Sequence, residues 1–225
     1  MQGMGLEHFY IDGGYGGNQD WFFDPMMKLG GCGAETAMDS SIYFTLYRGK
    51  DLYPFDVRDL NRRDYRKFGS IMKPYLSPRR TGIDRLDIYT EGYAAYLADR
   101  GERGIALEEF AGTESAEDAI RVIKAQIAAG LPVPMLMLQH RDKRFSDYVW
   151  HWFLLNGWCE DIKAPAPGPA GRPGVGCAAS NSVSPDGEKR FYVRTVTYSE
   201  WDWFDFRDFW DTGFDRKGGL VLYRL

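Results

Sequence analysis

The hydrophobic period of this chain changes at Gly130, and that change constrains the fold more than any other feature. Upstream, apolar residues recur at helical spacing in three stretches. Ala34, Ala37, Ser41 and Phe44 mark residues 33–47, with Met38 and Ile42 beside them. Ile83, Leu86, Tyr89, Tyr93 and Leu97 mark residues 83–99, and Ile120, Val122, Ile123, Ile127 and Ala128 mark a helix that Gly130 ends. Downstream, residues 131–138 and 148–157 are short continuous apolar runs, which read as strands buried on both faces. Strand patterns resume at 190–198 and 220–223. Helices first and a mostly antiparallel sheet afterwards make an α+β arrangement. Residues 1–225 are expected to form a single domain, with one short early strand at 104–107.

The segments between these elements carry further signals. Residues 1–31 are dense in glycine and aromatic rings, which predicts an ordered loop region packed on the core. The helix over 33–47 has small residues along one face, so neighbours can approach it closely, as suits a central element. A further helix is expected over 63–73, and Thr113 or Ser115 can cap the helix before Gly130. Residues 164–188 are rich in Pro, Gly and Ala, and they predict a mobile insertion.

Composition narrows the function classes. The net charge is −4, with 28 basic and 32 acidic residues. The one basic cluster, Arg62-Arg63-Asp64-Tyr65-Arg66-Lys67, is interrupted by acid, so nucleic-acid binding is not expected. No apolar stretch approaches the roughly 18 residues of a spanning helix, and no secretory signal pattern opens the chain. A cytoplasmic protein without membrane insertion is expected. The three cysteines include no CxxC pair, which argues against a zinc site or disulfide framework.

Two residues carry the chemistry. Cys32 sits in Gly30-Gly31-Cys32-Gly33, where a glycine-rich loop enters a helix. The N–H groups of a helix start stabilise a thiolate, and small neighbours leave room for a substrate backbone. A small buried residue at a tight junction would give the same pattern. His151 lies inside a strand run between Trp150 and Trp152, where a rigid backbone would hold a general base in place. A core histidine satisfied by a carbonyl is the alternative there. His140 with Asp142 could be a fragment of a metal site, and His8 lies near a loose terminus. The run from Trp201 to Trp210 offers aromatic faces, although packing of a strand and a short helix accounts for it as well.

With Gln19 upstream, Gly31-Cys32-Gly33-Ala34 at a helix start, Ala129-Gly130-Leu131-Pro132-Val133 before a strand, and His151-Trp152-Phe153-Leu154-Leu155-Asn156-Gly157-Trp158, the chain resembles the papain-like cysteine peptidases. The bacteriocin-processing (double-glycine) peptidases are the nearest group. The matching pieces are short but fall in the same order. The resemblance implies a papain-like fold, with the nucleophile at a helix N-terminus in a helical half packed on the sheet. It implies Cys32 as nucleophile, His151 as base, and Gln19 as oxyanion donor, with Asn18 offering the same chemistry. Gln19 stands further from the cysteine than that family usually has it. A hairpin register pairing Gly157 with Phe191 would put His151 opposite Thr197, where related enzymes carry Asp or Asn. Thr197 is therefore expected as the third site residue, with Glu200 and Asp202 as acidic alternatives. The implied activity is amide hydrolysis on a peptide or protein substrate, with no metal or organic cofactor. Acyl or isopeptide transfer and a catalytically silent peptide-binding module are the alternatives.

Overall fold

A computed structural model describes residues 2–79, 82–162, 165 and 188–225. The insertion expected over 164–188 lies outside the described residues, apart from Pro165 and Glu188.

The chain is α+β, and every strand pairing among the described residues is antiparallel. The N-terminal part holds β1 (Gln2–Gly5), a small hairpin of β2 (Tyr10–Ile11) and β3 (Gly14–Tyr15), and the short helix α1 (Pro25–Gly30). Within the region 1–31 expected to be a loop, residues 2–31 are thus more regular. The helical part follows, with α2 (Cys32–Arg48), α3 (Arg62–Met72) and α4 (Leu86–Asp99). Then come β4 (Ala106–Ala111), α5 (Ala116–Ala128), β5 (Val133–Met137), β6 (His151–Asp161), β7 (Arg190–Thr197), β8 (Glu200–Asp205), α6 (Phe206–Trp210) and β9 (Gly218–Arg224). The order across the sheet is β4-β9-β5-β6-β7-β8, and β1 pairs with the far end of β6 beyond β5.

Local chemistry explains the boundaries. Ser115 accepts the Asp118 N–H at 3.0 Å and caps α5, so Ser115 rather than Thr113 starts that helix. Gly49 ends α2 in the left-handed conformation, with φ 66°. The 201–210 run resolves into β8 and α6, which bury Phe204, Phe206, Phe209 and Trp210.

Strand periodicity divides the core in two. Leu136 and Trp152 face α2 and α4, while Met135, Met137, Phe153 and Leu155 face α5 and α6. Helices on both sides explain why β5 and β6 read as uninterrupted apolar runs. Trp152 anchors the first face. Its ring stacks on Tyr89 at 4.3 Å, and its Nε1–H donates to the Ile83 carbonyl at 2.6 Å. α2 is buried along most of its length, as its small residues allow. No helix among the described residues is long and apolar enough to cross a membrane.

The hairpin register differs from the one expected. Glu160, not Gly157, pairs with Phe191, and Gly157 pairs with Arg194. The ladder shifts at Asn156, where Leu155 pairs with Thr195. Side-chain bonds hold this bulge: Arg194 Nε donates to Asn156 Oδ1 at 2.7 Å, and Asn156 Nδ2 donates to the Tyr15 hydroxyl at 3.1 Å.

Candidate active site

Cys32 begins α2 because the chain turns sharply just before it. Gly31 closes α1 and is also the N-cap of α2, with no side-chain bond to the first turn. A Cβ at position 31 would overlap the Met27 carbonyl oxygen, so the two helices can join this tightly only through glycine. The Trp152 N–H from β6 and the Gly33 N–H both act on the Cys32 sulfur. Such donors favour a thiolate. Burial acts the other way and prevails. Loss of solvent, aided by the Glu35 charge, pushes the Cys32 thiol up to about 11. The resting group is a neutral thiol.

His151 opens β6 and is 3% exposed. Its ring is held on two sides. Nε2 shares a 2.7 Å hydrogen bond with Thr197 Oγ1, and the Tyr198 ring lies over the imidazole at 4.7 Å with planes 3° apart. The expected pairing of His151 directly opposite Thr197 does not hold, yet the two side chains meet. Leu154 pairs with Val196, so continuing the ladder puts Thr197 across from Phe153. Thr197 is then a diagonal neighbour of His151 on the same face, within reach of long side chains.

The backbone around this pair is strained. Trp150 has φ 56°, and the turn residues Tyr198 and Ser199 have φ 53° and 62°. A two-residue hairpin turn with both φ values positive usually takes Asn and Gly. A side chain there costs about 1–2 kcal/mol per residue. Backbone bonds hold the turn, from Ser199 N–H to Gly17 O at 2.7 Å and from Tyr15 N–H to Ser199 O at 2.9 Å. The conformation brings the Tyr198 ring over His151. Strain of this kind gathers at functional sites.

Gln19 lies in a loop that α2 grips with two buried carboxylates. Asp39 Oδ2 accepts the Gly17 N–H at 2.9 Å, and Glu35 Oε2 accepts the Gln19 N–H at 3.1 Å. The four residues from Glu35 to Asp39 rise about 6 Å, which matches two residues of extended chain. The loop therefore runs antiparallel to α2, toward the end that carries Cys32. Gln19 is buried, and its Oε1 has no hydrogen-bond partner among the described residues. Asn18 Oδ1 accepts the Asp20 N–H at 2.8 Å and caps a 3-10 turn.

The Cys32 sulfur meets β6 at the Trp152 N–H, next in sequence to His151. Glu200 pairs with Thr197 across the hairpin, and Asp202 accepts the Trp203 N–H at 2.8 Å. Thr197 is the residue on His151 Nε2.

The remaining histidines have other surroundings. His140 Nδ1 accepts the Asp142 N–H, and its Nε2 bonds the Asp208 carbonyl, both at 2.9 Å, so it braces a loop. No group of three or more metal-ligating side chains occurs among the described residues. His8 is not at a loose end. It packs against Phe9 and Tyr15, its ring nitrogens lack partners among the described residues, and burial holds its pKa down to about 3.

Sequence reasoning did not single out Glu35, Asp39 or Tyr198. Their signal was available in part, because Glu35 and Asp39 stand four apart on a helix otherwise made of small and apolar residues. Comparison with protein-family models, curated proteins and solved structures returned no match. The papain-like likeness rests on this chain's own motifs.

Proposed function

We propose that the protein is a thiol hydrolase of the papain-like type, nearest in its motifs to the bacteriocin-processing peptidases, and that it cleaves an amide bond in a peptide or protein. One observation supports this reading most. A thiol at a helix start feels the N–H groups of Gly33 and Trp152, and the strand that supplies the second opens with an imidazole fixed by Thr197 and Tyr198.

In this mechanism His151 takes the proton of Cys32 through Nδ1 while Nε2 stays on Thr197. The sulfur attacks the carbonyl carbon, and a C–S bond forms as the π electrons move to oxygen. The backbone N–H of Cys32 and the Gln19 side-chain amide are suited to hold that oxyanion. Collapse breaks the C–N bond, and the imidazolium gives its proton to the leaving amine. Water then cleaves the thioester and restores the thiol. Thr197 orients the ring without adding charge, so the thiolate–imidazolium pair is less favoured than with a carboxylate.

A second reading has specific support. A buried, neutral Cys32 and a hydroxyl partner for His151 also fit a catalytically silent peptide-binding member of the same fold. Incubation with a mixed peptide library, read by mass spectrometry, separates the two. New termini with wild type, absent with Cys32→Ser and with His151→Ala, are expected of the hydrolase. Peptide retention without cleavage in all three would favour the silent module.

A further inference from the structure

We propose that Glu35 is a positioning residue that sets the distance between the Gln19 loop and the turn holding His151. This rests on the hydrolase reading for its catalytic consequence, although the brace itself can be tested apart from it. Glu35 accepts the Gln19 N–H at 3.1 Å, and the Tyr198 N–H lies close enough to favour its charged form. One carboxylate thus joins three elements: α2 one turn past Cys32, the loop carrying the proposed oxyanion donor, and the turn after Thr197.

The geometry makes this joint specific. The loop between β3 and Gln19 contains Gly16 and Gly17, which hold no conformation by themselves. The Tyr198–Ser199 turn has unfavourable φ at both residues and needs outside contacts to persist. Asp39 secures the loop at Gly17, and Ser199 secures the turn to the same residue. Glu35 is the contact that reaches both Gln19 and Tyr198. A carboxylate can do this because each oxygen has two lone pairs.

The cost of this arrangement shows in its electrostatics. Glu35 is fully buried beside Asp39 and feels Asp20 as well, and burial holds its carboxyl well above the usual range. When ionised it also disfavours the Cys32 thiolate. A residue kept only for packing has no need of a buried carboxyl.

The test uses the full chain, with Glu35→Ala, Glu35→Asp and Glu35→Gln. Cys32 is probed with iodoacetamide and with a peptidyl vinyl sulfone, and amide exchange is read at Gln19 and Tyr198. Iodoacetamide needs only the thiolate, whereas the vinyl sulfone also needs the positioned donors. In Glu35→Ala, exchange at both amides should rise about 10-fold or more together. Vinyl sulfone labelling should fall by about 10-fold or more, since small misplacements are costly, with iodoacetamide labelling undiminished. Glu35→Asp keeps the charge but shortens the reach, so it should lose protection at one amide or both, and it serves if the alanine variant does not fold. Glu35→Gln should keep protection and vinyl sulfone labelling within about 3-fold, with iodoacetamide labelling shifted to lower pH. Unchanged exchange at both amides in folded Glu35→Asp or Glu35→Ala would overturn the brace. Exchange that rises without loss of vinyl sulfone labelling would overturn its positioning role. If wild-type Cys32 is inert to both probes, the hydrolase reading fails, while the exchange data still decide whether Glu35 joins the two segments.

Discussion

Replacing Asp39 by Asn should flatten the pH dependence of stability, and the size of the effect follows from its surroundings. Asp39 is 4% exposed, accepts the Gly17 N–H at 2.9 Å and the Tyr65 hydroxyl at 2.8 Å, and burial pushes its pKa from 3.8 to about 7. A carboxyl raised in the folded state keeps its proton where the unfolded chain has released it. Stability from this group is therefore fully present below pH 3.8 and falls as pH rises toward 7. At about 1.4 kcal/mol per pH unit, the loss between pH 5 and 8 is roughly 2–3 kcal/mol. For a chain of this length that corresponds to a Tm change of about 5–10 °C. His8 runs the opposite way, since its folded pKa of about 3 makes stability rise between there and 6.5. It is present in both proteins and cancels in the comparison. Asn keeps an oxygen for the Gly17 N–H and can donate its amide to the Tyr65 oxygen, so the variant should fold. Urea unfolding of both proteins at pH 5 and pH 8 is the assay. Wild type should lose about 2–3 kcal/mol more than Asp39→Asn over that interval. Equal losses would mean that Asp39 is ionised in the fold and that the burial argument is wrong.

Thr197→Asp should place a carboxylate on His151 Nε2 and stabilise the imidazolium; an opposite charge at this range shifts a pKa by about 1–3 units. Cys32 alkylation near neutral pH should speed up by about 10-fold or more, measured with iodoacetamide, and an unchanged rate would place the imidazole outside the thiol's influence. Gly31→Ala should cost about 1–3 kcal/mol, because the new Cβ meets the Met27 carbonyl, and Tm in calorimetry should fall accordingly.

The broad architecture was legible because it depends on periodicity. The helices at 33–47, 63–73 and 83–99 and the strands at 131–138 and 190–198 occur within a few residues of the expected bounds. The His151–Thr197 contact was anticipated through a register that is not the real one. Asn156 bulges because Arg194 and Tyr15 bond its side chain, and nothing local in Leu154-Leu155-Asn156-Gly157 announces partners so distant in sequence. β1 was missed for a related reason. Gln2-Gly3-Met4-Gly5 has no strand pattern of its own and is a strand only through pairing with β6. The Glu35 bridge and the Tyr198 ring over His151 likewise come from tertiary packing. A buried carboxylate leaves at most a hint in sequence, as a charge on an otherwise apolar helix.

The central claim is that His151 activates Cys32, and the most direct measurement is the rate of Cys32 alkylation against pH in a Cys177→Ser background. Cys159 is a built-in control, being buried with its thiol also raised to about 11. Peptide mapping after iodoacetamide treatment at pH 6–8 should show Cys32 labelled about 10-fold or more faster than Cys159, with that advantage lost in His151→Ala. Equal labelling of Cys32 and Cys159, or the same Cys32 rate with and without His151, would contradict the claim and leave Cys32 as a buried residue at a tight helix junction.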